Sequence, residues 1–250
     1  MTKQIRVAVA GANGRMGQEV VKMLAQDTAL VFTGNLDTRV SEEEINQQLD
    51  EMKPDVLVDF TTPHTVYRHM ELCLARGVRP VVGTTGLTTE QLQEMTARYK
   101  EAGLGAIIAP NFAIGAILCM KFSAMAAKYM PHVEIIELHH DRKLDAPSGT
   151  ALKTAEMIAA VREELKQGHP EEVETIPGAR GADYEGFRIH SVRLPGMVAH
   201  QEVLFGATGQ TLSIRHDSIN RESFMPGVNM AIKAVMNMNG LIYGLEHLID

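Results

Sequence analysis

The chain of 250 residues carries 31 acidic against 24 basic residues, a net charge of −7, and 45% hydrophobic residues, a balance that fits one large or two modest soluble domains with full cores. No lysine- and arginine-rich block is present, which argues against nucleic acid as a partner, and the longest apolar run, residues 112–120, is too short to span a bilayer. Cys73 and Cys119 both sit in apolar helical patterns, and the first residues lack the charged and apolar regions of a secretory signal, so a cytoplasmic protein with two reduced core thiols is expected.

Residues 5–10 read as a buried strand that runs into Gly11-Ala12-Asn13-Gly14-Arg15-Met16-Gly17. A helical pattern follows, with Met16, Val20, Met23 and Leu24 on one side. Strand, glycine turn and helix form the context of dinucleotide binding: the glycines let the backbone approach a pyrophosphate, and the helix N-terminus faces it. The spacing here is G-x-x-G-x-x-G rather than the commoner G-x-G-x-x-G. A second strand, residues 30–36, ends at Asp37, twenty residues after Gly17, where an acid commonly takes the adenosine ribose hydroxyls.

Residues 56–60 read as a third strand. Thr62-Pro63 then has the form of an N-cap with proline in the first turn, and the helix it opens carries Val66, Met70 and Leu74 and stops at Gly77. A fourth strand, residues 80–83, leads to Thr84-Thr85-Gly86. Thr88 and Gln91 have capping-box spacing before a helix with Leu92, Met95 and Tyr99. Residues 106–109 form a fifth strand that ends at Pro110-Asn111-Phe112. This alternation implies a Rossmann-type parallel sheet covered on both faces, with ligands bound beyond the carboxyl ends of its strands.

After residue 112 the pattern changes. A long helix is predicted over residues 114–129, a strand over 133–138, and a helix from Ser148 to about residue 166. Residues 167–186, rich in glycine, proline and acids, read as a long loop. Strands over 187–193, 198–205 and 211–217 and a final helix over 225–238 follow. Strands gathered after helices suggest a second, α+β domain with a mostly antiparallel sheet.

Between the strand at 133–138 and the helix at Ser148 lies Glu137-Leu138-His139-His140-Asp141-Arg142-Lys143-Leu144-Asp145-Ala146-Pro147-Ser148-Gly149-Thr150. A carboxylate held at that helix start meets free N–H groups and the positive end of the dipole. Lys143 adds a full charge, and a histidine exchanges protons near neutral pH. His139 and His140 are adjacent at a strand end and point to opposite faces, so at most one of them is the acid. Asp145 is placed to cap the helix. Adjacent residues seldom chelate one ion together, so no metal is expected at His139, His140 and Asp141. His190, His200 and His216 lie in strand patterns and read as structural.

At this point the chain resembles the 4-hydroxy-tetrahydrodipicolinate reductase family of the diaminopimelate route to lysine. The resemblance rests on residues 9–17, Asp59-Phe60-Thr61, Gly83-Thr84-Thr85-Gly86, Asn111-Phe112 and above all residues 137–150, and it covers nearly the whole chain. It implies reduction of a cyclic imine dicarboxylate by NADH or NADPH. His139 matches the family's proton donor, and Lys143 its second acid and a substrate-carboxylate contact. His140, Ser148, Gly149 and Thr150 match substrate-binding positions. Gly11, Ala12, Asn13, Gly14, Arg15, Met16, Gly17, Asp37, Gly83, Thr84, Thr85, Ala109, Pro110, Asn111 and Phe112 match cofactor contacts, with Arg39 added as a phosphate receiver. A homotetramer built through the second domain is implied, as is a C-terminal helix that returns to the first. The expected boundaries are therefore 1–112 with 221–250 for the dinucleotide-binding domain, and 113–220 for the substrate domain, the two closing over substrate.

Asp37 argues for NADH, since an acid pairs with a 2′-hydroxyl and repels a 2′-phosphate. Many relatives place an arginine directly after this acid, whereas here Thr38 intervenes before Arg39. Use of both cofactors is expected, with NADH at least as good as NADPH.

Overall fold

The structure, a computed structural model, describes residues 3–249. One unit comprises the residues up to Ala113 together with those from Phe224 onward, and the other spans Ile114–Ser223.

In the first unit β1 (Ile5–Ala10) leads to α1 (Arg15–Gln26), β2 (Leu30–Leu36) to α2 (Glu42–Met52), β3 (Val56–Asp59) to α3 (Val66–Arg76), and β4 (Arg79–Val82) to α4 (Thr89–Glu101), before β5 (Gly105–Ile108). Val7, Ala8, Val9 and Ala10 are all fully buried, as in a parallel strand covered on both faces. The sequence reading passed over α2, although Ser41 and Glu44 form a full capping box ahead of the buried Ile45 and Leu49. Helix α3 starts at Val66, not at Pro63. The Asp59 carboxylate takes the Thr61 N–H, and the Thr65 N–H donates to the Thr62 carbonyl at 3.1 Å, so residues 61–65 are held as a turn. The end of α3 at Gly77 (φ +68°) and the Thr88–Gln91 capping box of α4 agree with the sequence expectations.

The second unit contains α5 (Ile114–Ala127), β6 (His132–His139), α6 (Gly149–Ala159), β7 (Ala182–Tyr184), β8 (Phe187–Arg193), β9 (Ala199–Ala207) and β10 (Gln210–Ser218). Its five strands run in the order β10-β9-β6-β8-β7, antiparallel except for β6 beside β8. Cys119, Ile158 and Ala155 from the helices meet Ile135, Phe187 and Phe205 from the sheet in one core.

Two expectations are corrected here. Helix α6 ends at Ala159 rather than near residue 166 because Arg162 turns inward. Its guanidinium donates to the carbonyls of Pro131, Glu185 and Leu165 at 2.5, 3.1 and 2.9 Å and lies over the Phe187 ring. The segment read as a long loop contains β7, turned into β8 by Glu185 and Gly186 at φ +47° and +83°, as a two-residue hairpin requires.

The chain then re-enters the first unit with α7 (Met225–Val235) and β11 (Gly240–Tyr243). Strand β11 lies parallel to β5, which completes a sheet of six strands in the order β11-β5-β4-β3-β1-β2, one strand more than the sequence reading placed there. Gly105 lets the end of α7 pass close to β5: a Cβ there would stand 2.3 Å from the Val235 carbonyl oxygen. The order reverses between β1 and β3, and in such sheets ligands bind at the strand ends of that switch point. Among the described residues no helix is long and apolar enough to cross a membrane.

Candidate active site

In the first unit the turn after β1 sits at the switch point. Gly11 has φ +81°, and a Cβ on it would come 2.9 Å from the Phe60 carbonyl oxygen. The Gly14 N–H donates to the Gly11 carbonyl at 2.9 Å, and Gly14 occupies the N-cap of α1 without any side-chain cap. An uncapped helix start of this kind suits an anion. Gly83, at the end of β4, has no room for a side chain, since a Cβ would stand 2.0 Å from the Phe60 ring. The Phe60 and Phe112 rings lie 5.8 Å apart. Gly11, Phe60, Gly83 and Phe112, from the ends of β1, β3, β4 and β5, thus form one cluster within this unit. A cradle whose backbone is kept bare by glycine fits a dinucleotide pyrophosphate.

At the end of β2 the Asp37 carboxylate is gripped by Arg39, with Nε to Oδ1 and Nη2 to Oδ2 both at 2.9 Å. The side-chain and backbone hydrogen bonds from Arg39 hold the Asp37 carboxyl at about 2, so the acid stays ionised at working pH. Gln48 of α2 accepts the Asp37 N–H at 2.8 Å, which gives the overlooked helix a part in placing this acid. The structure thus joins Asp37 and Arg39 as one ion pair, and Arg15 opens α1 separately.

The end of β3 holds a pair that the sequence reading did not isolate. Asp59 and His69 are both buried, with Oδ2 and Nδ1 2.6 Å apart. The second Asp59 oxygen accepts the Thr61 N–H at 2.8 Å and the Thr61 hydroxyl at 2.5 Å. This network pins the segment that carries Phe60.

In the second unit the segment carrying His139 and Lys143 begins on β6. Val133, Ile135 and Glu137 take successive inward positions on that strand, so Glu137 is a carboxylate where the period calls for an apolar residue. Arg193 of β8, the register partner of His139, grips it with Nη2 to Oε1 at 2.7 Å and Nη1 to Oε2 at 2.9 Å. His139 Nδ1 contacts Glu137 Oε2. Burial pushes the Glu137 carboxyl up, but hydrogen bonds from His139, Arg193 and Ser191 outweigh it and hold the group at about 2. His139 is half-buried and His140 exposed.

Lys143 Nζ sits on the Asp145 carboxylate at 2.7 and 2.9 Å, and Arg193 also donates to the Asp145 carbonyl at 2.7 Å. Asp145 therefore does not cap α6. Ser148 does, accepting the Ala151 N–H at 3.2 Å, with Gly149 and Thr150 opening the helix. His190 pairs with Glu134 and His200 with Asp217, away from this group.

Sequence reasoning gave no role to Glu137 or Arg193. The acid could have been found from its inward place in the β6 alternation. Arg193 carried no local signal, because only the β6–β8 pairing brings it there.

The sequence profile described as dihydrodipicolinate reductase, N-terminus, matches residues 5–112, and that described as dihydrodipicolinate reductase, C-terminus, matches residues 115–249. The chain is 57% identical to the 4-hydroxy-tetrahydrodipicolinate reductase of Halalkalibacterium halodurans, over 98% of this chain and 100% of the relative. It is 54% identical to that of Bacillus subtilis, over 98% of each. A solved structure, the dipicolinate-bound dihydrodipicolinate reductase from Paenisporosarcina sp. TG-14, superposes with a TM-score of 0.92 at 52% identity, covering 98% of this chain and 100% of that one.

Proposed function

This chain belongs to the dihydrodipicolinate reductase family, and on that premise we propose that it reduces 4-hydroxy-tetrahydrodipicolinate, through its dehydrated imine, to tetrahydrodipicolinate on the diaminopimelate route to lysine. The observation that carries the reading is that the Glu137–Arg193 pair meets His139 through Glu137 and, through the Asp145 carbonyl, the turn where Asp145 holds Lys143, three residues ahead of the Ser148-capped start of α6. Family membership and the Rossmann-type sheet imply a nicotinamide dinucleotide, which the residues at Gly11 to Gly17, Asp37, Gly83 to Thr85 and Ala109 to Phe112 would hold. When bound, it supplies the hydride.

The chain's own residues supply orientation, charge and a proton. Reduction of a conjugated imine leaves electron density that one proton must quench, and in this reading His139 delivers it. Lys143 exchanges its Asp145 partner for a substrate carboxylate, while the N–H groups of Gly149 and Thr150 donate to the same carboxylate at the helix start. His140 contributes a further contact to the dianionic substrate. Feeding the product of dihydrodipicolinate synthase to the pure protein should consume reduced nicotinamide absorbance. Absence of consumption with either cofactor would overturn the reading.

NADH is proposed to serve at least as well as NADPH, because Asp37 remains ionised and occupies the nearby Arg39. Replacing Asp37 with Ser removes the negative charge and releases Arg39, so the ratio of kcat/KM should move toward NADPH by about tenfold or more. Arg39→Ala should harm NADPH more than NADH. A strong native NADPH preference that ignores Arg39 would show the pocket to be misassigned.

Gly149 offers a cleaner probe of substrate contact. A Cβ at this position would meet nothing within 4 Å, so the fold does not require glycine there. Gly149→Ala should leave thermal stability unchanged or raised, yet increase KM for the imine by about tenfold by displacing the carboxylate. An unchanged KM would remove Gly149 from the substrate site.

A homotetramer joined through the second unit completes the proposal and rests on family resemblance. Light scattering should return four times the chain mass, and a monomeric mass would refute it.

A further inference from the structure

We propose that Glu137 and Arg193 are positioning residues for the reaction: Glu137 turns the His139 ring so that Nε2 is the atom that gives up the working proton, and Arg193 locks that carboxylate to the turn bearing Lys143. The inference rests on the reading of His139 as proton donor and adds what makes it one.

A neutral imidazole carries its proton on one nitrogen, and the partner of the other nitrogen decides which. Here the partner of Nδ1 is a carboxylate with no exposed surface. The Arg193 fork and Ser191 hold it ionised, and an ionised carboxylate only accepts hydrogen bonds. Nδ1 must therefore carry a hydrogen in both charge states of the ring. Nε2 is left to gain and lose the exchangeable proton.

Geometry on both strands enforces the arrangement. Glu137 and His139 are two residues apart on β6 and share a face, and Arg193 lies opposite His139 in the β6–β8 register. One Arg193 nitrogen donates both to Glu137 and to the Asp145 carbonyl at 2.7 Å, while the Asp145 carboxylate holds Lys143. A single guanidinium thus ties the supports of both reactive groups together. The charged groups around His139 are Glu137, Arg193 and the Lys143–Asp145 pair. On the β9 side its register partner is Ala199, and the neighbouring His200 is engaged with Asp217.

The test combines Glu137→Gln, His139→Gln and their double variant with 15N spectra of the histidine-labelled native protein, the His139 signals being assigned by their loss in His139→Gln. In the native protein the neutral His139 ring should carry its hydrogen on Nδ1, a readout that needs no Glu137 variant to fold. Glu137→Gln should lower kcat by about tenfold or more and leave KM for the dinucleotide within about twofold, since that site lies in the other unit. It should also move the alkaline limb of the kcat/KM profile to lower pH, because an imidazolium beside an amide releases its proton more readily than one beside a carboxylate. The double variant should lose no more than His139→Gln alone. A native His139 protonated on Nε2, or a folded Glu137→Gln with native kcat and pH profile, would overturn the positioning role alone. Retained turnover in His139→Gln would instead overturn the proton-donor reading beneath it.

Discussion

Lys143→Met and His139→Gln are each expected to lower turnover by about a hundredfold or more, the scale of a lost general acid or of a lost charge on the substrate. Neither change should unfold the protein. Removing Lys143 leaves Asp145, whose carboxylate is largely exposed, and an exposed ion pair contributes little to stability. Removing the His139 ring leaves Glu137 still gripped by both Arg193 nitrogens. Dinucleotide affinity should stay near the native value, because the glycine turn and Asp37 belong to the other unit. Stopped-flow turnover, fluorescence titration of the dinucleotide and thermal unfolding separate these effects. Near-native turnover in both variants would remove the two residues from the chemistry.

Gly17→Ala should produce a comparable loss by a different route. A Cβ at Gly17 would stand 2.1 Å from the Gly11 carbonyl oxygen and 2.6 Å from the Ala12 Cα. These are backbone atoms, so no rotamer relieves the clash, and α1 must shift away from the turn after β1. Such overpacking costs about 1–3 kcal/mol of stability. Moving the helix start off the pyrophosphate position should weaken dinucleotide binding by about a hundredfold. Calorimetric titration against thermal unfolding would check both, and native affinity in Gly17→Ala would mean that the turn does not hold the phosphates.

The features legible in the sequence share one physical character: they are set within a few residues of themselves. The glycine turn is visible because a backbone that must pass close to other atoms excludes a Cβ. The Thr88–Gln91 cap is visible because a helix start needs acceptors three residues from its N–H groups. The parallel sheet is visible because strands buried on both faces read as short apolar runs between helices. Two of the omissions were local as well. Helix α2 carried its own capping box, and Glu137 its own place in the strand alternation.

What tertiary structure alone decided lies far apart in sequence. Gly240 pairs with Gly105, so the residues after α7 become a sixth strand of the first unit's sheet. Arg162 ends α6 by reaching carbonyls at Pro131 and Glu185, where helical periodicity alone would have carried the chain on. Arg193 reaches Glu137 across 56 residues. Strand neighbours and the partners of buried charges are chosen by the packing of the whole unit, since a carboxylate leaves water only where a cation and donors already wait for it. The sequence by itself determined that His139 and Lys143 precede a helix start. Only the pairing of β6 with β8 determined which way the His139 ring faces.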